Sequence, residues 1–204
     1  MLAHELRVRT MPRRVVGEIT RSAVGATIGR MPTIAVLRPF TEAELPLLDH
    51  GRLNPAEVSE FDFYGFRAGN RRQADFAATG LLGDDGGVLA VVDGDEAVGS
   101  VSWRRVMTGP VCFTWNIGIS LLGSAQGRGL GTAAQRALVD YLFGYTQAHR
   151  VEAHTETENT AEQRALEKAG FTREGVVRGA TFRAGRWRDM VAYSVLRTEY
   201  QPGH

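Results

Sequence analysis

The spacing of apolar residues along the chain changes near Leu130. Before it, the segments 88–93, 97–106 and 111–122 are rich in β-forming residues and predict three strands, the first two joined by a hairpin turn at 93–96. After it, apolar residues recur at helical spacing: Leu130, Ala133, Ala134, Ala137, Leu138, Tyr141 and Leu142. This stripe predicts a helix over about 127–148 that packs one face on a sheet.

Shorter patterns predict the elements on both sides. Upstream, we expect a strand at 33–40, a helix from about Thr41 to Leu53 whose Glu44 completes a capping box, and a second helix that ends near Leu82. Downstream, we expect a strand at 150–157, a helix at 160–169 ended by Gly170, and strands at 174–183 and 187–196. This order predicts an α/β fold with a mixed sheet, antiparallel in its first half and followed by parallel crossover units.

Composition narrows the class of protein. Hydrophobic residues make up 43% and charged residues 23% of the chain, as in soluble globular proteins. No apolar run is long enough to predict a membrane-spanning helix. The net charge of +1 argues against a nucleic-acid partner on global electrostatics. Cys112 is the only cysteine, which excludes an intrachain disulfide and a thiolate zinc cluster and favours a cytoplasmic location.

Residues 1–32 differ from the rest of the chain. They carry six arginines against two glutamates, and their apolar residues are scattered. We predict a leader that is disordered or loosely packed, or that precedes a true start at Met31; a basic arm that contacts a partner is the alternative. A single domain is expected over 33–200.

The segment QGRGLGT, residues 126–132, lies between a predicted strand and a predicted helix. The first amides of a helix lack internal partners and attract anions, and glycines allow a phosphate to approach the backbone. A Walker loop needs a lysine that is absent here, and a dinucleotide fingerprint needs a different glycine spacing. The alternative is a plain strand-to-helix turn.

Three segments together resemble one family. The pattern formed by Gln126, Gly129 and Gly131 resembles the acyl-CoA signature of the GNAT acetyltransferase superfamily. The run ENTAEQRALEKAGF at 158–171 is similar to that family's second cofactor-facing segment, and GRWRDMVAYSVL at 185–196 is similar to the closing hairpin of its RimJ/RimL-like branch. The resemblance implies a central mixed sheet of about six to seven strands, flanked by about four helices, in which two parallel strands, 117–122 and 150–157, splay apart.

The resemblance also implies an activity: transfer of an acetyl group from acetyl-CoA to a primary amine, without a metal. Backbone groups of Ile119 and Leu121 would pair with the cofactor arm, and Asn159 would hydrogen-bond it or serve only as a helix cap. The remaining cofactor-binding residues would come from the glycine loop: Gln126, Gly127, Arg128, Gly129, Leu130, Gly131 and Thr132.

The chain departs from the family where the proton donor and acceptor are expected. Leu166 replaces a common tyrosine, Glu162 a common serine and Asn116 a common glutamate. The acid and the base therefore stay open, with water-mediated proton transfer as one option. The candidates for catalysis are Glu158, His154 and Asn116.

The acidic and aromatic segment at 60–66 is the candidate for acceptor binding. Family members place acceptor-binding helices here, and Glu60, Asp62, Phe63 and Tyr64 combine charges and rings that suit a cationic small-molecule or peptide amine; core packing is the alternative. The rival function is a non-catalytic acyl-CoA-binding module, suggested by Leu166 and Asn116. A monomer and a homodimer are both open.

Overall fold

An eight-stranded mixed sheet lies at the centre of the computed structural model, which describes residues 35–53, 59–66 and 71–201. The strands are β1 Val36–Arg38, β2 Leu82–Gly83, β3 Gly86–Asp93, β4 Glu96–Met107, β5 Phe113–Leu121, β6 Arg150–Glu156, β7 Thr172–Arg183 and β8 Arg186–Leu196. The α-helices are α1 Leu45–Leu53, α2 Arg71–Thr79, α3 Leu130–Tyr145 and α4 Thr160–Lys168, with short 3-10 turns at Glu42–Glu44 and Gly123–Ala125. The predicted leader at 1–32 lies outside the described residues.

The strand order is β1-β3-β4-β5-β6-β8-β7, with the two-residue β2 paired to β3. Every neighbouring pair is antiparallel except β5 and β6, which are parallel. The predicted mixed sheet, with an antiparallel first half, is therefore confirmed. Of the parallel crossover units predicted after it, the described strands contain only one, from β5 to β6, because β7 and β8 form an antiparallel hairpin beside β6. The short strand β2 was not predicted, because two residues beside a glycine-rich turn give no periodic pattern.

Helix α3 provides most of the core on one face of the sheet. Leu130, Leu138 and Leu142 are at most 1% exposed. The helix is shorter than the predicted 127–148. It begins late because Gly127 and Gly129 have φ values of 70° and 87°, outside the helical region. It ends at Tyr145 because Thr146 is extended.

Strand β3 is buried on both faces. Leu89 and Val91 pack in the main core with α3, whereas Ala90 and Val92 pack in a second, smaller core with Phe40 and its neighbours. In the sequence, a strand that is buried on both faces appears as a continuous apolar run.

Within the described part of the chain, no helix is both long and apolar enough to cross a membrane.

The β7–β8 hairpin bends before its turn. Val177 pairs with Met190 and Thr181 with Arg188, so β7 contains extra residues at this point. Gly179 in the bulge has a φ of 58°, and its N–H donates to Asp189 Oδ1 at 2.8 Å. Because a bulge bends the strand that contains it, the hairpin changes direction here, which allows its end to lie close to the end of β6.

Candidate functional site

Strands β5 and β6 separate part-way along their length. Their parallel pairing covers only three residue pairs and ends at Ile117 with Ala153. Strand β5 continues to Leu121, where it is still paired on its other side with Gly99 of β4. Among the described strands, none pairs with the β6-facing edge of β5 beyond Ile117. The backbone at Ile119 and Leu121 therefore faces a gap, as the predicted splay requires.

A cleft of about 640 Å³ occupies this gap. Its walls come from β5, the glycine loop, β6, the first turns of α4 and the segment 59–64. The predicted site residues that line it are Ile119, Leu121, Gln126, Gly127, Gly129, Gly131, Thr132, Asn159, His154, Asp62 and Tyr64. The structure thus brings together residues that are far apart in the sequence.

The glycine loop leaves the N-terminus of α3 open toward the cleft. Gly129 is the N-cap residue and supplies no side-chain cap. A Cβ atom added to Gly131 would meet only the Cδ1 atoms of Leu121 and Ile119, at 3.7 and 3.8 Å, which are ordinary contacts. Packing therefore does not require glycine at 131. What the glycine provides is space in the cleft beside the first amides of a helix, where an anion is favoured.

Two glutamine side chains bond the carbonyl groups where the splayed strands end. Gln126 Nε2 donates to the carbonyl of Leu121 at 3.0 Å, and Gln163 Nε2 donates to the carbonyl of Thr157 at 2.9 Å. Gln126, predicted as a direct donor to the cofactor, thus uses its amide to hold the end of β5. Gln163 was not predicted as a site residue.

Asn159 caps α4. Its Oδ1 accepts a hydrogen bond from the backbone N–H of Glu162 at 3.2 Å, and the side chain also lines the cleft. The cap, which the sequence left as an alternative to a cofactor contact, is therefore present. The same residue remains within reach of a ligand in the cleft.

Two partly desolvated carboxyl groups lie in the cleft. Asp62 accepts a hydrogen bond from Ser120 Oγ at 3.3 Å, and burial raises its pKa to about 6. Glu162, in the first turn of α4, accepts a hydrogen bond from Gln135 Nε2. Burial, with a smaller contribution from the negative charge of Asp62, raises the pKa of Glu162 to about 7. Sequence reasoning noted Glu162 only as a departure from the family and did not select Gln135.

His154 and Asn116 contact each other. Asn116 Nδ2 lies 3.2 Å from His154 Nδ1, and Arg104 Nε donates to Asn116 Oδ1 at 3.1 Å. With Oδ1 accepting from arginine, the amide of Asn116 presents its NH2 to the imidazole, which fits a His154 ring whose Nδ1 is an acceptor. His154 lines the cleft, whereas Asn116 does not.

Three of the residues predicted for cofactor binding and catalysis lie outside the cleft. Arg128 forms an ion pair with Asp93 at 2.7 Å, and Leu130 is buried in the core. Glu158 has a side chain that is 66% exposed and forms an ion pair with Arg188 at 3.0 Å. None of the three lines the cleft.

Two of the predicted acceptor residues also lie outside the cleft. The ring of Phe63 packs edge-on against Phe66, with centroids 5.4 Å apart. Glu60 is exposed, and its backbone carbonyl accepts a hydrogen bond from Arg183 Nη1 at 2.7 Å. From the predicted segment at 60–66, Asp62, Tyr64 and Phe61 line the cleft.

Arg183 joins three parts of the site. Its guanidinium forms a buried ion pair with Glu156, in which Nη2 donates to Oε2 at 2.8 Å, and the two side chains are 5% and 3% exposed. The guanidinium also lies 5.2 Å from the centre of the Phe61 ring. The bent β7–β8 hairpin thus anchors the segment at 59–64 to the end of β6. No local pattern in the sequence marks this role.

Metal ligands form no cluster in the described residues: no group of three or more His, Cys, Asp or Glu side chains is arranged to hold an ion.

Comparison with known proteins identifies the family. The family model described as Acetyltransferase (GNAT) domain matches residues 35–172. The chain is 34% identical over 113 residues to the probable N-acetyltransferase YjcK of Bacillus subtilis (strain 168), covering 55% of this chain and 61% of that protein. It is 27% identical over 113 residues to the [ribosomal protein uS5]-alanine N-acetyltransferase of Escherichia coli (strain K12), covering 54% and 57%.

The fold matches a solved structure with little sequence identity. Spermidine N-acetyltransferase from Vibrio cholerae, in complex with CoA and spermine, superposes with a TM-score of 0.70 at 18% identity, covering 81% of this chain and 97% of that one. The matched region spans about three fifths of the length of the curated relatives. The predicted resemblance, including its RimJ/RimL-like branch, is confirmed, and the chain belongs to the GNAT acetyltransferase family.

Proposed function

We propose that the protein is an N-acetyltransferase that moves an acetyl group from acetyl-CoA to a primary amine by direct attack. One observation carries this proposal within the family: the gap between β5 and β6 opens beside a glycine loop at a helix N-terminus. An extended arm and a pyrophosphate need these two features side by side. Residues 33–200 would form the acetyltransferase domain.

The residues present fit acetyl-CoA. The exposed backbone edge at Ile119 and Leu121 would pair with the pantetheine arm, and the amides of Gly129 and Gly131 would hold the pyrophosphate. Asn159 would add a side-chain hydrogen bond. When bound, the cofactor supplies an acetyl group activated as a thioester.

The acceptor would enter from the side of the segment 59–66. A second cavity of about 260 Å³ lies there, and serines 100, 102 and 120 are part of its lining. Asp62 lines both this cavity and the larger cleft. A carboxylate at the junction suits a cationic amine, either a small molecule or a peptide N-terminus. The relatives named above are described as acting on spermidine and on a ribosomal-protein alanine, and each fits this class.

Calorimetric titration with CoA tests the binding half of the proposal. The variant Gly131→Leu keeps the backbone conformation and places its side chain in the cleft. We expect it to weaken CoA binding at least tenfold while its circular dichroism spectrum stays unchanged. The matched control is Gly144→Leu on the same helix, where an added Cβ meets no atom within 4 Å; it should bind CoA like the wild type.

Thiol release with a panel of amines tests the transfer half. Acetyl-CoA-dependent thiol release with at least one amine supports the enzyme. If the wild type gives no heat with CoA or acetyl-CoA at high concentration, the proposal fails. Binding without turnover on any amine would instead favour the non-catalytic acyl-CoA-binding module.

A further inference from the structure

Two carboxyl groups from different elements line the cleft. Asp62 comes from the segment 59–66, and Glu162 comes from the first turn of α4. Both line the same cleft of about 640 Å³, and the negative charge of Asp62 contributes to the raised pKa of Glu162. Within the described residues, neither carboxyl forms an ion pair with an arginine or a lysine, in contrast to Glu156 beside them.

The surroundings of Glu162 fit a neutral carboxylic acid. Gln135 is 1% exposed, its Nε2 donates to Glu162 Oε1, and its Oε1 accepts no hydrogen bond from any described residue. An ionised carboxylate can only accept hydrogen bonds. It can therefore bond to the NH2 group of the Gln135 side chain but not to the oxygen, which is left buried without a donor. A neutral carboxyl offers an O–H as well, so acid and amide can form two hydrogen bonds. A proton on Glu162 would supply a donor for the orphaned oxygen of Gln135.

The surroundings of Asp62 fit a proton acceptor for an incoming amine. Its carboxyl is held by Ser120, the residue after Ile119 on the free edge of β5. It also lines the second cavity, from which an acceptor would approach. Asp62 thus lines both the proposed acceptor cavity and the cleft proposed for acetyl-CoA.

We propose that Asp62 takes the proton of the acceptor amine and that Glu162 gives a proton to the departing sulfur. This inference rests on the proposed function. The amine gives its first proton to water and attacks as a neutral amine. As the nitrogen–carbon bond then forms and the carbon–sulfur bond breaks, the nitrogen loses its second proton to the Asp62 carboxylate and the sulfur gains one from the Glu162 carboxyl. The products are an amide and a free thiol; exchange with water then removes the proton from Asp62 and restores the one on Glu162.

Other ionisable groups face the same space. Those lining the two cavities are Tyr64, Arg72, His154, Glu156, Arg164 and Lys168. Glu156 is paired with Arg183, so its carboxylate is held ionised. Because the imidazole of His154 also lines the cleft, the variant His154→Gln is measured beside the two carboxyl variants.

The first test needs no cofactor and no acceptor. Carbon-detected NMR of protein labelled at its Glu and Asp carboxyl carbons follows each titration. We expect one Glu carboxyl to titrate near pH 7 and to be missing in Glu162→Gln. In Asp62→Asn its midpoint should fall, because a like charge has been removed. If every Glu carboxyl titrates below about pH 5.5, well under the value expected for a buried acid, the assignment of Glu162 is overturned.

The second test is the pH dependence of acetyl transfer. Loss of a general acid or base lowers rates by about 10² to 10⁴-fold. We expect Asp62→Asn to lower kcat/KM in this range and to abolish the acidic limb of the profile, and Glu162→Gln to lower kcat and abolish the basic limb. Glu167→Gln, on the same helix but outside the cleft, is the matched control and should keep the wild-type profile.

The outcomes separate this inference from the proposed function. Wild-type transfer combined with unchanged limbs in both cleft variants overturns the acid and base assignments and leaves the acetyltransferase intact. Loss of the basic limb in His154→Gln, but not in Glu162→Gln, assigns the proton donor to His154 and also overturns the inference. Calorimetry with CoA should show that both carboxyl variants still bind it.

Discussion

The replacement of Glu162 by glutamine should stabilise the protein at alkaline pH. Burial holds the pKa of Glu162 at about 7, against a usual value of 4.5. A carboxyl with a raised folded-state pKa stabilises the fold fully below its unfolded pKa, and that contribution is lost as pH rises through the folded value. The wild type should therefore lose stability, relative to the variant, between about pH 4.5 and pH 7.

The size of the effect follows from the pKa. Each unit of pKa corresponds to about 1.4 kcal/mol, so a rise from 4.5 to about 7 gives roughly 3 kcal/mol once Glu162 is ionised. Since solvent reaches part of this residue, we expect about 2 to 3 kcal/mol at pH 8. The amide introduced by Glu162→Gln can donate to Gln135 Oε1 at every pH, whereas the wild-type carboxyl can do so only while it is protonated, which adds about 1 kcal/mol to the difference once Glu162 is ionised.

Urea denaturation followed by tryptophan fluorescence measures this difference. Trp103 and Trp115 are 7% and 4% exposed, so unfolding should change their emission. Wild type, Glu162→Gln and the control Glu167→Gln are compared from pH 5 to pH 8.5 without ligand. The contributions of ionisable groups that wild type and variant share cancel in the difference between their free energies of unfolding. A difference that stays constant over this range would refute the desolvation argument for Glu162.

Three further changes have expected outcomes. Gly129→Val places a β-branched residue at a φ of 87° and should weaken CoA binding and lower stability by about 1–3 kcal/mol, as measured by calorimetry and urea denaturation. Leu138→Ala empties a fully buried position on α3 and should lower the free energy of unfolding by about 2–5 kcal/mol, whereas Tyr145→Ala, 78% exposed on the same helix, should change it little. Arg183→Met leaves Glu156 buried without its cation and should lower the free energy of unfolding by about 3–5 kcal/mol at pH 7. This last loss should shrink in acid, because the wild-type pair itself weakens as Glu156 is protonated; a loss independent of pH would argue against the pair as its cause.

Local signals in the sequence predicted the elements well where they were strong. The Thr41–Glu44 capping box is present, with the Thr41 N–H donating to Glu44 at 2.9 Å. The stripe of apolar residues on α3 predicted its buried face, and Asn159 caps α4 as its residue type favours. Boundaries failed where backbone conformation overrode propensity, as at Gly129, because the positive φ of a glycine leaves no trace in hydrophobic periodicity.

The glycine-loop side of the cleft was predictable because its determinants lie close together in sequence. The glycine loop and the helix that follows it are one continuous segment, and helix-terminus chemistry depends on residues within a turn or two. The residues predicted for catalysis and for acceptor binding come from separate elements. The structure places two of them, Glu158 and Phe63, away from the cleft.

Apart from the short strand β2, the order of the elements could be predicted from the residues alone, as could the family and the glycine loop. Hydrophobic periodicity, helix caps and turn residues depend only on near neighbours along the chain, so they can be recognised without knowledge of the fold. The meeting of Asp62 and Glu162 in one cleft, the pairing of Gln135 with Glu162 and the reach of Arg183 to Glu60 across 123 positions became visible only in the folded chain. Desolvation and charge coupling depend on which distant segments meet, and packing in the folded protein, rather than adjacency along the chain, brings these segments together.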